Sequence, residues 1–278
     1  MNSLLRLVRW LASVPGLRRL TTVNLVTRMS FSLRASLVRE RRRFAWNELR
    51  PGRPRTGIYC LKDSGVRVAI RHRSPDVLIL DELFSQKEYR FPEAVWARLA
   101  KITGQLQVAD LGANIGLFGA WILGHFPDAE ILSVEPDPDN ARIHRRAIEA
   151  NGRAAQWRLI EAGAATGPGT ISFATGSFTL SQAAPPGEGV EIDAVDVFPL
   201  IAGADLVKID IEGAEWPLLR DPRFGELEAA AVVLEYHPEG TESAGDAALQ
   251  LLEKAGFSAV SHHPKGEDVG VVWALRSS

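Results

Sequence analysis

From about residue 105 to the C-terminus, short apolar runs alternate with longer stretches whose apolar residues recur every three or four positions. The short apolar runs at 107–111, 130–134, 157–161, 205–210, 231–236, 258–262 and 270–276 read as strands, and the intervening stretches have helical spacing. This pattern predicts an α/β domain built on a parallel sheet with seven strands. Between the third and fourth runs the order breaks. TISFAT, the tip SQAAPPGEG and VEIDAVD read as a hairpin-like excursion rather than a crossover helix.

Upstream, IYCL and VRVAI flank the turn-forming Lys62-Asp63-Ser64-Gly65, which predicts a hairpin between Ile58 and Arg73. A helix carrying Val95, Trp96, Leu99 and Ile102 follows. Residues 56–104 are thus a lead-in to a core spanning 105–278. Before Pro51, Gly52 and Pro54, residues 1–55 form a separate helical extension, whose Leu4, Leu7, Val8 and Leu11 fall on one helical face.

Composition sharpens this division. Hydrophobic residues at 46% and charged residues at 24% are ordinary for a globular chain, and the net charge of -2 looks unremarkable. Yet residues 1–55 hold thirteen Arg against only Glu40 and Glu48, a charge of +11, which leaves -13 on the remainder. A basic, amphipathic head of this kind suits an anionic membrane surface or an acidic partner, with nucleic acid a weaker fit. The lone Cys60 cannot form an internal disulfide and reads as structural. The N-terminal run is broken by Arg6 and Arg9, and nowhere do about 20 apolar residues follow one another. The expected location is cytoplasmic, with the inner membrane face as the place for any peripheral contact.

Chemistry enters at the end of the first run. Asp110-Leu111-Gly112-Ala113-Asn114-Ile115-Gly116 joins an apolar strand to a helix, the position at which open α/β sheets bind ligands. Gly112 and Gly116 allow close approach of backbone to a nucleotide-like ligand. Asn114 stands where a dinucleotide fingerprint has its second glycine, and Asp110 suits a cationic group better than a pyrophosphate. Glu135, about 20 residues beyond the loop and followed by Pro136, has the offset of a carboxylate that accepts ribose hydroxyls. Asp137 and Asn140 read as caps of the next helix.

A second group gathers at the ends of the fourth and fifth runs, where Asp210, Glu212, Glu235 and His237 can converge. They can serve as acid–base groups that orient an acceptor and take its proton, or they can satisfy backbone groups at strand ends. They can also ligate Mg²⁺ or Mn²⁺; because the acid–base reading needs no ion, no metal is expected. His262 and His263 are strand neighbours pointing to opposite faces and do not form a ligand pair.

Taken in order, VADLGANIGLFG, VEPDPDN, VKIDIEGAEWPLL and VVLEYHP resemble the motif series of the FkbM family of class I methyltransferases, from about Asp76 through Trp273. The resemblance implies a Rossmann-like, seven-stranded, mostly parallel sheet, S-adenosylmethionine as cofactor, and methyl transfer to oxygen of a sugar, glycan or secondary metabolite. It further implies that Asp110, Gly112, Ala113, Asn114 and Gly116 form the cofactor loop, that Glu135 and Pro136 flank the ribose, and that Asp210, Glu212 and Glu215 form the later acidic motif. Gly163 departs from the alanine frequent there. A nicotinamide-dependent oxidoreductase and a non-catalytic membrane-peripheral module remain the alternatives.

Overall fold

The computed structural model describes residues 34–50, 55–86, 88–173, 190–238, 240, 243–266 and 268–277. The amphipathic segment expected over the first eleven residues and the tip expected over 181–189 lie outside them.

The central sheet contains β3 (Gln107–Leu111), β4 (Glu130–Val134), β5 (Trp157–Ile160), β9 (Leu206–Ile209), β10 (Ala231–Tyr236), β11 (Phe257–Pro264) and β12 (Gly270–Arg276). They lie in the order β11-β12-β10-β9-β3-β4-β5, with β12 antiparallel to both neighbours and the rest of the ladder parallel. All seven expected strands are present. Successive residues divide between two cores: Val108, Leu206, Val233 and Val271 belong to one buried cluster, and Ala109, Val207, Val232 and Val272 to the other. This is the period-two alternation of a sheet covered on both faces, so both sets are apolar.

The helices cover those faces. α4 (Leu117–His125) and α5 (Pro138–Asn151) follow β3 and β4, and α9 (Ala244–Lys254) precedes β11. The Asp137 side chain caps α5 by accepting from the amides of Asp139 and Asn140, as expected for an Asp ahead of Pro138. Short helices α6 (Phe198–Ile201), α7 (Glu215–Arg220) and α8 (Pro222–Gly225) connect the later strands.

The excursion after β5 forms a small sheet in which β8 (Val190–Asp196) pairs antiparallel with β7 (Gly169–Phe173), as the pattern implied. It also pairs in parallel with β6 (Gly163–Ala165), a strand the pattern did not reveal. The lead-in hairpin of β1 (Thr56–Cys60) and β2 (Arg67–Arg71) is likewise present, followed by α2 (Asp76–Asp81), a π-helical turn at Glu82–Gln86 and α3 (Glu93–Leu99). Ahead of it, α1 (Arg41–Leu49) packs on the hairpin through Phe44, and Val38 bridges to Leu61, so this part of the basic head shares the main core.

The decisive feature is the position of β3. Its neighbours are β4 on one side and β9 on the other, so the chain runs outward in both directions from it, and the loops after β3 and β9 part to leave a crevice at the carboxyl edge.

Candidate functional site

The loop after β3 is shaped by its contact with β9. Gly112 adopts φ +77°, and a Cβ there would lie 1.7 Å from the carbonyl oxygen of Asp210, so a side chain is excluded by space as well as by backbone conformation. The amides of Gly112 and Ala113 both donate to the Val134 carbonyl at 3.0 Å, which ties the loop to the end of β4. Asn114 also has positive φ, +49°, and its Oδ1 accepts from the Ile115 amide at 2.8 Å, the local bond that lets Asn hold this conformation.

Glu135 closes β4 beside this loop. Its Oε2 accepts from the Asn114 amide at 2.7 Å; its Oε1 accepts from the Asp137 amide at 3.0 Å and from Asn140 Nδ2 at 3.2 Å. Asn140 is therefore more than a residue of the first helical turn: it also accepts from Arg71, at 2.6 Å, and links Glu135 to β2. Three of roughly four lone-pair sites of the carboxylate are taken, leaving acceptor capacity for a hydroxyl. Burial raises Glu135 to about 7 against the opposing pull of these hydrogen bonds.

Between the two strand ends lies an ion cluster. Lys208 Nζ sits 3.2 Å from Asp110 Oδ1, 3.2 Å from Asp210 Oδ2, and donates to the Gly112 carbonyl at 3.0 Å. Burial opposes its charge, yet the two carboxylates outweigh burial and leave the ammonium more firmly protonated than usual. Asp110 is fully buried and its carboxyl is raised by that burial. Burial acts on Asp210 in the same direction, but Lys208 and His237 overcome it and hold the carboxyl below its ordinary value.

At the far side, Tyr89 donates its hydroxyl to Glu235 Oε2 at 2.7 Å and lies 3.3 Å from Asp210 Oδ2. Lys265 bridges Glu235 Oε1, at 2.6 Å, to Glu88. His237 Nδ1 bonds the fully buried Glu215 at 2.5 Å, and its Nε2 lies 3.4 Å from Glu212 Oε2. Burial works against a charged imidazole, but Glu215 and the other carboxylates prevail and lift His237 to about 9. Burial and the Asp210 charge raise Glu212 to about 7. Glu212 is held at φ +54°, an unusual backbone for a non-glycine residue. Asp210, Glu212 and His237 offer oxygen and nitrogen atoms within 4.8 Å of one another. A cation there would compete with the ion pairs that already join these groups.

These elements enclose a cavity of about 360 Å³. Its walls include Gly112, Ala113, Asn114, Glu135 and Pro136 at one end, and Asp210, Glu212 and Glu235 at the other. The expected site residues Asp110, Gly116 and His237 are not on its walls: Asp110 lies beneath it behind Lys208, Gly116 heads α4, and His237 backs Glu212. Gly163 is on the wall, where a Cβ would lie 2.3 Å from Ile171 Cδ1; glycine here admits an isoleucine that also faces the cavity. Tyr89, Lys208 and Lys265 line the cavity without having been read from the sequence. For Lys208 a signal existed, a charge inside the apolar run LVKI; Tyr89 and Lys265 arrive from distant segments with no motif around them.

Residues 110–259, more than half of the chain, match the model of the methyltransferase FkbM domain. Methyltransferase sdnD of Sordaria araneosa is 26% identical over 200 residues, covering 57% of this chain and 76% of that protein. The crystal structure of methyltransferase FkbM from Methylobacillus flagellatus aligns over 91% of this chain at 14% identity with a TM-score of 0.45, and the alignment spans 60% of that longer chain. A precorrin-6y C5,15-methyltransferase from Geobacter metallireducens aligns over 64% of this chain and 84% of its own, at 17% identity and a TM-score of 0.40. With the glycine loop, the Glu135 carboxylate and the later acidic motif all within the matched span, the chain belongs to the FkbM methyltransferase family.

Proposed function

We propose that the chain is an S-adenosylmethionine-dependent O-methyltransferase acting on a hydroxyl of a sugar, glycan or secondary metabolite. The observation that carries this reading is the single cavity wall on which the Gly112–Asn114 loop and the Glu135 carboxylate face the carboxylates of Asp210, Glu212 and Glu235. One end has the groups for a nucleoside; the other has groups that hold protons.

The residues present fit the cofactor. The loop brings backbone close to the cavity, Glu135 retains acceptor capacity for a ribose hydroxyl, and Gly163, Ala164 and Ile171 supply an apolar wall for a base. The amino-acid end is better served by Asp210, which faces the cavity, than by Asp110, which is fully buried behind its wall. When bound, S-adenosylmethionine supplies a methyl group on a sulfonium.

The chain's contribution is then alignment and proton handling. Glu212, near 7, can take a hydroxyl proton on its carboxylate at neutral pH. His237, near 9, is charged at that pH and acts as the cation that keeps Glu212 in place rather than as a base. Tyr89 orients Glu235, and Lys265 fixes the same carboxylate from the opposite oxygen. Calorimetry with S-adenosylhomocysteine and with NADH separates this reading from an oxidoreductase. Binding of the homocysteine compound alone is expected; binding of NADH alone contradicts it.

A further inference from the structure

Among the described residues six large hydrophobic side chains are exposed, and two of them, Trp46 at 61% and Leu49 at 58%, lie three residues apart on the nine-residue helix α1. Arg42, Trp46, Leu49 and Arg50 follow the i, i+4, i+7, i+8 spacing of a single helical face. Arg42 and Arg50 are exposed at its two ends, and the Arg50 guanidinium lies 5.9 Å from the Trp46 ring centre.

The opposite face of the same helix is firmly seated. Phe44 is fully buried with its ring 4.9 Å from both Tyr59 and His72, Asn47 Nδ2 donates to the Tyr59 hydroxyl at 2.9 Å, and Glu48 Oε2 bonds His72 Nδ1 at 2.8 Å. The exposed tryptophan and leucine therefore belong to an anchored helix and do not report a loose one.

Charge is sorted across the helix in the same way. Both acidic residues of the segment turn inward: Glu40 accepts from the Cys60 amide at 2.9 Å and Glu48 from the Arg73 amide at 2.9 Å. Arg39, Arg41, Arg42 and Arg50 remain exposed. The surface so formed has an apolar centre of Trp and Leu and a rim of arginine, while the chain beyond residue 55 carries -13.

We propose that the outward face of α1 docks on an anionic lipid bilayer, with Trp46 and Leu49 entering the headgroup region and the arginines pairing with lipid phosphates. Indole and leucine side chains gain from leaving water at a bilayer interface, and each nearby arginine adds attraction to an anionic surface. Duplex nucleic acid would use the arginines but leave the Trp46–Leu49 pair without a role. The acidic body is repelled by the same surface, which selects this face over others. Glu48 and Arg50 also hold the turn at Arg73 that leads into α2, whose Leu78 stands on the cavity wall, so the docking face is tied through one turn to that wall. The proposal does not depend on the methyl-transfer reading.

Co-sedimentation of the full chain with sucrose-loaded vesicles tests it. Vesicles of phosphatidylcholine with about 30% phosphatidylglycerol should retain the protein at low salt, and vesicles of phosphatidylcholine alone should not. Retention should fall as salt rises, and the double substitution Trp46→Ser, Leu49→Ser should weaken it about tenfold or more. Both side chains are exposed, so melting temperature and S-adenosylhomocysteine binding should stay unchanged. No retention on anionic vesicles at low salt, retention unaffected by the double substitution, or retention on duplex DNA in place of vesicles would each overturn the proposal.

Discussion

Glu135 joins a structural constraint to the proposed binding of a ribose. Its carboxyl, near 7 in the fold against an ordinary 4.5, is stabilised in its protonated form by burial. That stabilisation is complete below the ordinary value and is lost as pH rises through about 7, so the group's contribution to folding weakens with rising pH. Ligand binding should run the other way, because only the ionised form offers its full acceptor capacity to ribose hydroxyls. S-adenosylhomocysteine affinity, followed by calorimetry, should strengthen between about pH 6 and about pH 8, and Glu135→Gln should flatten that dependence. Affinity that is flat with pH in the unsubstituted protein contradicts the assignment. Two further predictions belong to single residues. Gly112→Ala should cost more than about 2 kcal/mol in urea denaturation, because its Cβ meets the backbone of Asp210. Lys208→Met should cost about 3 to 5 kcal/mol by leaving Asp110 and Asp210 facing each other, and adding Asp110→Asn should recover part of that loss. A Lys208→Met protein as stable as the original would show that the cluster contributes nothing net.

At the scale of elements, the central strands of the main sheet were legible because burial on both faces writes itself into sequence as short, predominantly apolar runs, whereas the mostly exposed edge strand β11 was found from its place in the alternation. All seven lie where the runs predict, with shifts confined to the ends of three: β5 stops at Ile160, β9 runs from Leu206 to Ile209 with Asp210 on the cavity wall, and β11 runs from Phe257 to Pro264 through its ladder with β12. β6 was invisible because Gly-Ala-Ala carries no strand signal; its pairing is imposed by β8, a partner some thirty residues later. That the Gly112–Asn114 loop and the Glu135 carboxylate stand together was equally legible, since both are fixed by local spacing. The carboxylate-rich end of the cavity was half legible. Asp210, Glu212 and Glu235 stand at strand ends, which pattern alone can locate. Tyr89 and Lys265 come from the turn before α3 and from the β11–β12 connection, and only the fold brings them to Glu235. Asp110 shows what strand-end position alone leaves open: the fold buries its carboxylate beside Lys208 and behind the cavity wall, a placement that spacing does not reveal. The Tyr89–Glu235–Lys265 arrangement predicts that Tyr89→Phe leaves stability within about 1 kcal/mol while shifting the pH profile of methyl transfer. An unaltered profile would remove Tyr89 from the proton-handling group.

The whole molecule is arranged by one topological fact and one electrostatic one. Because β3 starts the order from which strands run outward on both sides, the loops after β3, β4, β9 and β10 crowd one edge, and the cavity follows from their separation. Because nearly all acidic residues follow residue 55, that edge is rich in carboxylates while the N-terminal segment is cationic. A cavity wall bearing more carboxylates than ammonium groups favours a ligand with a positive centre, in agreement with a sulfonium and against a pyrophosphate. The central claim is that this cavity holds S-adenosylmethionine with Glu135 as an anchor. Equilibrium dialysis with labelled S-adenosylmethionine tests it most directly, using the unsubstituted protein and Glu135→Ala, each checked for a cooperative melt. One site per chain, displaced by S-adenosylhomocysteine and weakened about tenfold or more by the substitution, is the predicted result. Folded, unsubstituted protein that retains no label, or a Glu135→Ala protein that retains it equally well, would contradict the claim.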